Sequence, residues 1–240
     1  MSAALQNGFT VLPALFTEDD IASLRRAIAD SIDRVARVML TPFETSLPST
    51  PLDERIERVA RNDRAYASAL LQVVMADAQR DARLTAISDH PRLREAIDAV
   101  LDPDIATGHV IRTRAAMPAF TSRISPWHQD APRPQSATGC ATVRVACWIP
   151  LSDVGEHSGA LEVIPGNWNA PCRHQAGDDG HFGIPEDALP DGKRRVIPMR
   201  AGDVLLLDRF IPHRARPTRG LQGRWSVVMW VKAGGRQSVC

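Results

Sequence analysis

The segment PWHQDAP, Pro126 to Pro132, sets an imidazole and a carboxylate two positions apart between two prolines. Proline cannot donate to a β-ladder, so the flanks read as strand edge or loop. In an extended chain residues i and i+2 share a face, which directs His128 and Asp130 toward one point. Such a pairing suits an ion pair, an acid/base couple or two ligands of a metal site. A third ligand candidate is His213, 85 residues further on, after AGDVLLLDRFIP, a Gly-Asp turn and a buried-type strand ended by Pro212. It can reach the same point only through the fold.

Two imidazoles and one carboxylate on one face of a divalent ion leave three positions open, the arrangement of non-heme Fe(II) oxygenases. The imidazoles suit a borderline ion, the carboxylate partly neutralises it, and the open face takes a bidentate co-substrate and dioxygen. The same three ligands with a metal-bound water would serve a zinc hydrolase. Taken singly the residues are ordinary: an H-x-D pair is weak evidence, and a histidine near a strand end is commonly just hydrogen-bonded. Arg224, eleven residues after His213 in HRARPTRGLQGRWSVVMW, adds a constraint. On the next strand of a hairpin it would point back into the same cavity. A buried guanidinium needs an acidic partner, either a nearby Asp or a dicarboxylate ligand gripped through two parallel hydrogen bonds.

The elements that must position these residues are legible as texture. Thr17 precedes Glu18, Asp19 and Asp20 as an N-cap followed by acids, and Ile21, Leu24, Ile28, Ile32, Val35 and Met39 recur at helical spacing. TPFETSLPSTP, Thr41 to Pro51, breaks the pattern as an irregular loop. A helical run resumes from Leu52 to about Arg80 and another from Pro91 to Leu101, with Pro91 in the first turn. From about Ile105 short apolar runs follow, HVIRT, TVRVACWIPL, ALEVI, RRVIPM, DVLLLD and RWSVVMWVK, separated by Gly, Pro and Asp. This predicts an antiparallel sandwich or roll rather than βαβ units. The stretch Asn167 to Asp191 interrupts the β-pattern as a lid or binding loop.

Composition bounds the rest. The chain has 240 residues, and its net charge of +1 gives no reason to expect nucleic acid or a membrane surface as partner. No apolar run approaches the roughly 20 residues of a membrane span, and the first residues lack a basic region ahead of an apolar core, so the expectation is a cytoplasmic protein. Cys140, Cys147, Cys172 and Cys240 lack C-x-x-C spacing and read as idle thiols. Oligomeric state is not readable.

The chain resembles the phytanoyl-CoA dioxygenase family of Fe(II)- and 2-oxoglutarate-dependent oxygenases. The resemblance lies in four ordered motifs: NGFTVLPALFTEDDIASLRRAI, WHQD, SGALEVIPGNW and AGDVLLLDRFIPHRARP. It implies one domain over residues 1–240, with 1–104 as mostly helical support and 105–240 as the β-core carrying a lid loop at about 167–191. The implied fold is a double-stranded β-helix (a cupin-like jelly roll) buttressed by α-helices. Further implications are His128, Asp130 and His213 as iron ligands, Arg224 as anchor for the C5 carboxylate of 2-oxoglutarate, and O2 as oxidant. Trp148 matches a position close to the co-substrate, though core packing explains it equally. Thr113 and Arg112 are candidates for its C1 end. The resemblance departs at Trp168, where the family commonly has His, and at Ala215, where it often has a small hydroxyl residue. The expected activity is hydroxylation of a small molecule or secondary metabolite, with succinate and CO2 released. A zinc hydrolase or a non-catalytic β-roll binding protein are the alternatives.

Overall fold

The computed structural model describes residues 5–43, 50–101, 106–130, 143–177, 182–219 and 222–233. Cys140, Cys240, most of the loop expected at 41–51 and the centre of the 167–191 stretch fall outside them.

Among the described residues five α-helices form the support. Helix α1, Glu18–Val38, starts at a complete capping box: Thr17 Oγ1 accepts from Asp20 N, and Asp20 accepts from Thr17 N. Its stripe of Ile21, Leu24, Ile28, Ile32 and Val35 is buried, each side chain contributing roughly 1.5–3 kcal/mol relative to exposure. The run expected from Leu52 to about Arg80 divides into α2, Leu52–Asn62, and α3, Arg64–Ala78. The break is Asp63, extended at φ −148° and ψ 104°, whose carboxylate accepts from Tyr66 N and so caps α3. A single turn, α4 (Ala82–Thr85), leads to α5, Pro91–Val100, with Pro91 in its first turn.

Among the described residues ten strands make two facing antiparallel sheets and a small outlying pair. They are β1 Phe9–Leu12, β2 Ala106–Ala116, β3 Val143–Pro150, β4 Leu161–Val163, β5 Gln175–Ala176, β6 Phe182–Gly183, β7 Arg195–Ile197, β8 Val204–Asp208, β9 His213–Ala215 and β10 Arg224–Ala233. The major sheet runs β1-β8-β3-β10-β2, the minor sheet β7-β4-β9, and β5 pairs with β6. This is a jelly roll, open rather than a closed barrel, with the helices stacked on the outer face of its major sheet. The opening motif contributes β1, which joins the sheet edge by pairing Phe9 with Leu207.

Strand parity sorts the core into two layers. On β3, Val145, Cys147 and Ile149 join the cluster with the helices, while Ala146 and Trp148 face the minor sheet. Strands buried on both faces read as continuous apolar runs, which is why VACWIP and VLLL show no alternation.

The hairpin expected between His213 and Arg224 does not form. Strand β9 lies in the minor sheet and β10 in the major one, so the connection crosses between sheets. On the way it is held by Arg219 N donating to His157 O at 2.8 Å and Gly223 N donating to Asp53 O at 2.8 Å. His213 and Arg224 therefore approach one cavity from opposite walls.

Candidate metal and anion site

The H-x-D segment adds a short extra rung to the minor sheet. His128 N donates to His213 O and His213 N donates to His128 O, each at 2.9 Å. This reciprocal pair brings the two imidazoles to 4.2 Å between ring centres. Their Nδ1 atoms lie 2.8 Å from Pro126 O and 3.0 Å from Ile211 O. A carbonyl only accepts, so both Nδ1 carry the proton and both Nε2 keep a lone pair. Asp130 completes the cluster: its Oδ2 is 3.9 Å from His213 Nε2, and one ligand atom from each of the three residues lies within 4.8 Å of the others. The donor set, with backbone carbonyls fixing both tautomers, fits a divalent metal on one open face.

In the metal-free protein, burial and then the neighbouring His213 hold the His128 imidazolium well below its usual 6.5. The unfolded chain takes up that proton first, so stability is fully present above about pH 6.5 and is lost as pH falls. The melting temperature in chelator should drop from about pH 7 to about pH 5, and bound metal should flatten the decline. A flat chelated profile would mean that His128 is not held neutral by its surroundings.

Trp127 answers to packing. It is buried with Ile164 and Ile184, the guanidinium groups of Arg214 and Arg194 lie 4.8 Å and 5.4 Å from its ring centre, and its carbonyl accepts from Ile184 N at 2.6 Å. Gln129, pointing away from the metal side, binds the 167–191 stretch. Its side chain accepts from Cys172 N at 2.6 Å and donates to Ala170 O at 3.3 Å and to Phe210 O, while its backbone N donates to His174 Nε2. The described parts of that stretch are thus packed against the ligand segment. Replacing Gln129 with Leu should cost about 1–3 kcal/mol, because its side chain gives up three hydrogen bonds to partly buried or exposed backbone groups. Faster amide exchange at Cys172 would register it. Unchanged protection there would refute the tie.

Arg224 opens β10, only 4% exposed. Its Nη1 donates to Ser226 Oγ, its guanidinium carbon lies 5.2 Å from the centre of the Trp148 ring, and its Nε has no partner. Among the described residues no carboxylate lies within ion-pair distance of it. Burial first, then the charge of Arg114, pushes it down to about 10, so at neutral pH it stays a buried cation without a counter-charge. Such a charge is costly unless an anion joins it. Gly159 leaves room for the group: a Cβ there would meet Arg224 Nε at 3.0 Å.

The three metal-ligand candidates, Arg224 and Trp148 all line one cavity of about 540 Å³, within the ordinary range for a small-molecule site. Ala215 lines it too, and the hydroxyl beside Arg224 is supplied by Ser226. Trp168 does not; its Nε1 donates to Ile164 O at 2.9 Å. Thr113 lies elsewhere, buried toward the helices with Oγ1 donating to Met75 O at 2.9 Å. Parity puts Arg112 and Arg114 on the opposite face of β2. Both are exposed; Arg112 donates to Ile111 O, and Arg114 also lines the cavity. The alternation Ile111-Arg112-Thr113-Arg114 carried that signal. Ser226, Gln129 and Phe182, the last from β6, also escaped the sequence reading.

With the geometry in place, the comparisons are specific. The chain matches the family described as phytanoyl-CoA dioxygenase (PhyH) over residues 4–226 and belongs to that family. No curated protein matches it. Among solved structures it is similar to the non-heme alpha-ketoglutarate-dependent carbocyclase SnoK from nogalamycin biosynthesis, at 17% identity and TM-score 0.55, over 97% of this chain and 83% of that one. It is similar to AviO1 from Streptomyces viridochromogenes Tue57, at 18% identity and TM-score 0.54, over 96% and 93%. A third is HygX from Streptomyces hygroscopicus, solved with nickel and 2-oxoglutarate, at 16% identity and TM-score 0.51, over 94% and 83%. At these identities the likeness shows a shared fold. Among the described residues no helix is long and apolar enough to cross a membrane.

Proposed function

We propose that this chain is a non-heme Fe(II)- and 2-oxoglutarate-dependent dioxygenase that hydroxylates a small molecule and releases succinate and CO2. The observation that carries the reading is the buried Arg224, without a carboxylate partner among the described residues, facing across one cavity a cluster of two histidines and a carboxylate. Its assignment as an anchor for a dicarboxylate supplies the missing counter-charge. HygX, described with nickel and 2-oxoglutarate bound, supports that pairing of ligands on this fold, and SnoK, described as acting in nogalamycin biosynthesis, supports a secondary metabolite as substrate.

When bound, Fe(II) with 2-oxoglutarate supplies the activation of dioxygen that oxidises a carbon–hydrogen bond of the substrate. The chain's own residues do the positioning. His128 and His213 present Nε2 because Pro126 O and Ile211 O hold their Nδ1 protons. Asp130 brings the one negative charge of the ligand set. Arg224, braced by Ser226 and lying against Trp148, orients the distal carboxylate. The described parts of stretch 167–191 act as cover more than as a swinging lid: Gln129 ties them down and Phe182 faces the cavity, keeping water from the reacting atoms. A cytoplasmic location suits a ferrous site and thiols left free.

A zinc hydrolase needs a general base beside the metal. Among the described residues lining the cavity the only carboxylate is Asp130, itself a ligand candidate. Anaerobic protein given Fe(II) and 2-oxoglutarate should develop a visible metal-to-ligand charge-transfer band. Tight zinc binding with indifference to 2-oxoglutarate would sink the oxygenase reading.

A further inference from the structure

Two arginines line the cavity, and the oxygenase reading uses one. Arg224 begins β10 and rests against Trp148. Arg114 stands opposite Ser226 on β2 and carries its guanidinium over Trp230, 5.4 Å from the ring centre. Arg114 is thus two residues from Arg224 in register, and Trp148, opposite Val228, is two residues from Trp230, so the two arginine–tryptophan pairs lie side by side, offset by roughly 7 Å along the strands at ~3.3 Å per residue. Among the described residues Arg114, like Arg224, has no carboxylate within ion-pair distance. Asp130 is the carboxylate that acts on it electrostatically, and that group belongs to the metal cluster.

Formal charge sharpens the point. Fe(II) and Asp130 together leave one positive charge, 2-oxoglutarate brings two negative, and Arg224 restores neutrality. Arg114, exposed at the edge of the cavity, is then a surplus cation, and a surplus cation at the mouth of a site favours an anionic ligand. Much of the remaining wall is apolar, with Met75, Phe120, Ile124 and Phe182 among the residues lining the cavity. Resting on the oxygenase reading, we propose that Arg114 and Trp230 recognise a carboxylate on the substrate, whose apolar body fills the space toward the metal. The fork of one guanidinium matches the two coplanar oxygens of a carboxylate. A phosphate-rich substrate such as an acyl-coenzyme A would call for more cations, and apart from Arg224 no other Lys or Arg among the described residues lines the cavity.

The test uses anaerobic protein loaded with Fe(II) and saturating 2-oxoglutarate, titrated calorimetrically with 3-phenylpropionate and cyclohexanecarboxylate, each against its primary amide. The acids should bind at least about tenfold tighter than the amides, the size of one charged hydrogen-bonded contact. Arg114→Gln should erase that preference while the Kd for 2-oxoglutarate stays within about threefold, and Arg224→Gln should do the reverse. Arg114→Lys, which keeps the charge without the fork, should retain part of the preference and guards against a misfolded Gln variant. If Arg114→Gln weakens 2-oxoglutarate as strongly as Arg224→Gln does, Arg114 holds the co-substrate and the proposal falls. It falls equally if wild type prefers neither acid to its amide. Acid preference without any 2-oxoglutarate binding would keep the carboxylate site and overturn the oxygenase reading instead.

Discussion

Replacing Asp130 with Gly should cost the protein its ferrous ion. The residue supplies the only negative charge in the cluster, and without it two neutral imidazoles must hold a divalent cation in a largely desolvated place. Changes to residues that merely support metal ligands already cost 10–100-fold in affinity, so loss of the anionic ligand should cost at least about a hundredfold. Competition with a chromophoric chelator measures it directly. The fold should survive, since His128 and His213 stay joined through their backbones. Asp130 also determines what the remaining positions can accept. With His128, Asp130 and His213 holding the ion, Asp130 would occupy the position that a halide needs. Turnover in saturating chloride should therefore give hydroxylated and no halogenated product by mass spectrometry. Undiminished Fe(II) affinity in the variant, or a halogenated product from wild type, would remove Asp130 from the metal.

Arg224→Met should separate two properties that usually move together. Loss of a charge-assisted bidentate contact in a desolvated site costs on the order of 3 kcal/mol, more than a hundredfold in Kd or KM for 2-oxoglutarate. Metal binding should be unchanged, because Arg224 is not among the metal-ligand candidates. The stability of the ligand-free protein should hold or rise, since a buried cation without a counter-charge is replaced by an apolar chain of similar length. Thermal denaturation with and without 2-oxoglutarate reads both effects. Wild type should gain melting temperature from the ligand and the variant should not. A variant that melts far below wild type while still responding to 2-oxoglutarate would make Arg224 a structural residue.

How much of this was legible depended on whether the signal was local. The cap at Thr17, the stripe on α1, Pro91 and the apolar β-runs are local, and each formed where the sequence put it. The break at Asp63 was overlooked because apolar periodicity continues across it, while its side chain prefers to cap the next helix. His128, Asp130 and His213 could be singled out by residue type, and the fold brings them together. How Arg224 reaches the cavity could not be read, because eleven residues suit a hairpin and a sheet crossing equally. On β2 the error was one residue of register: Thr113 was named where Arg114 faces the cavity. The 167–191 stretch looked free because its Gly, Asp and Pro content says nothing of one buried glutamine amide reaching it from another segment.

The backbone rung between His128 and His213 makes the metal site a late event in the life of the chain. Its halves are 85 residues apart, and closing so long a loop precedes any reward from the contact. A nascent or partly folded chain holds one imidazole and a carboxylate, too little to retain ferrous ion against competing ligands. Iron thus has no template to bind until that rung has closed on the minor sheet, and its binding energy then falls on the assembled β-core. The ion acts as a latch on unfolding, not as a nucleus for folding.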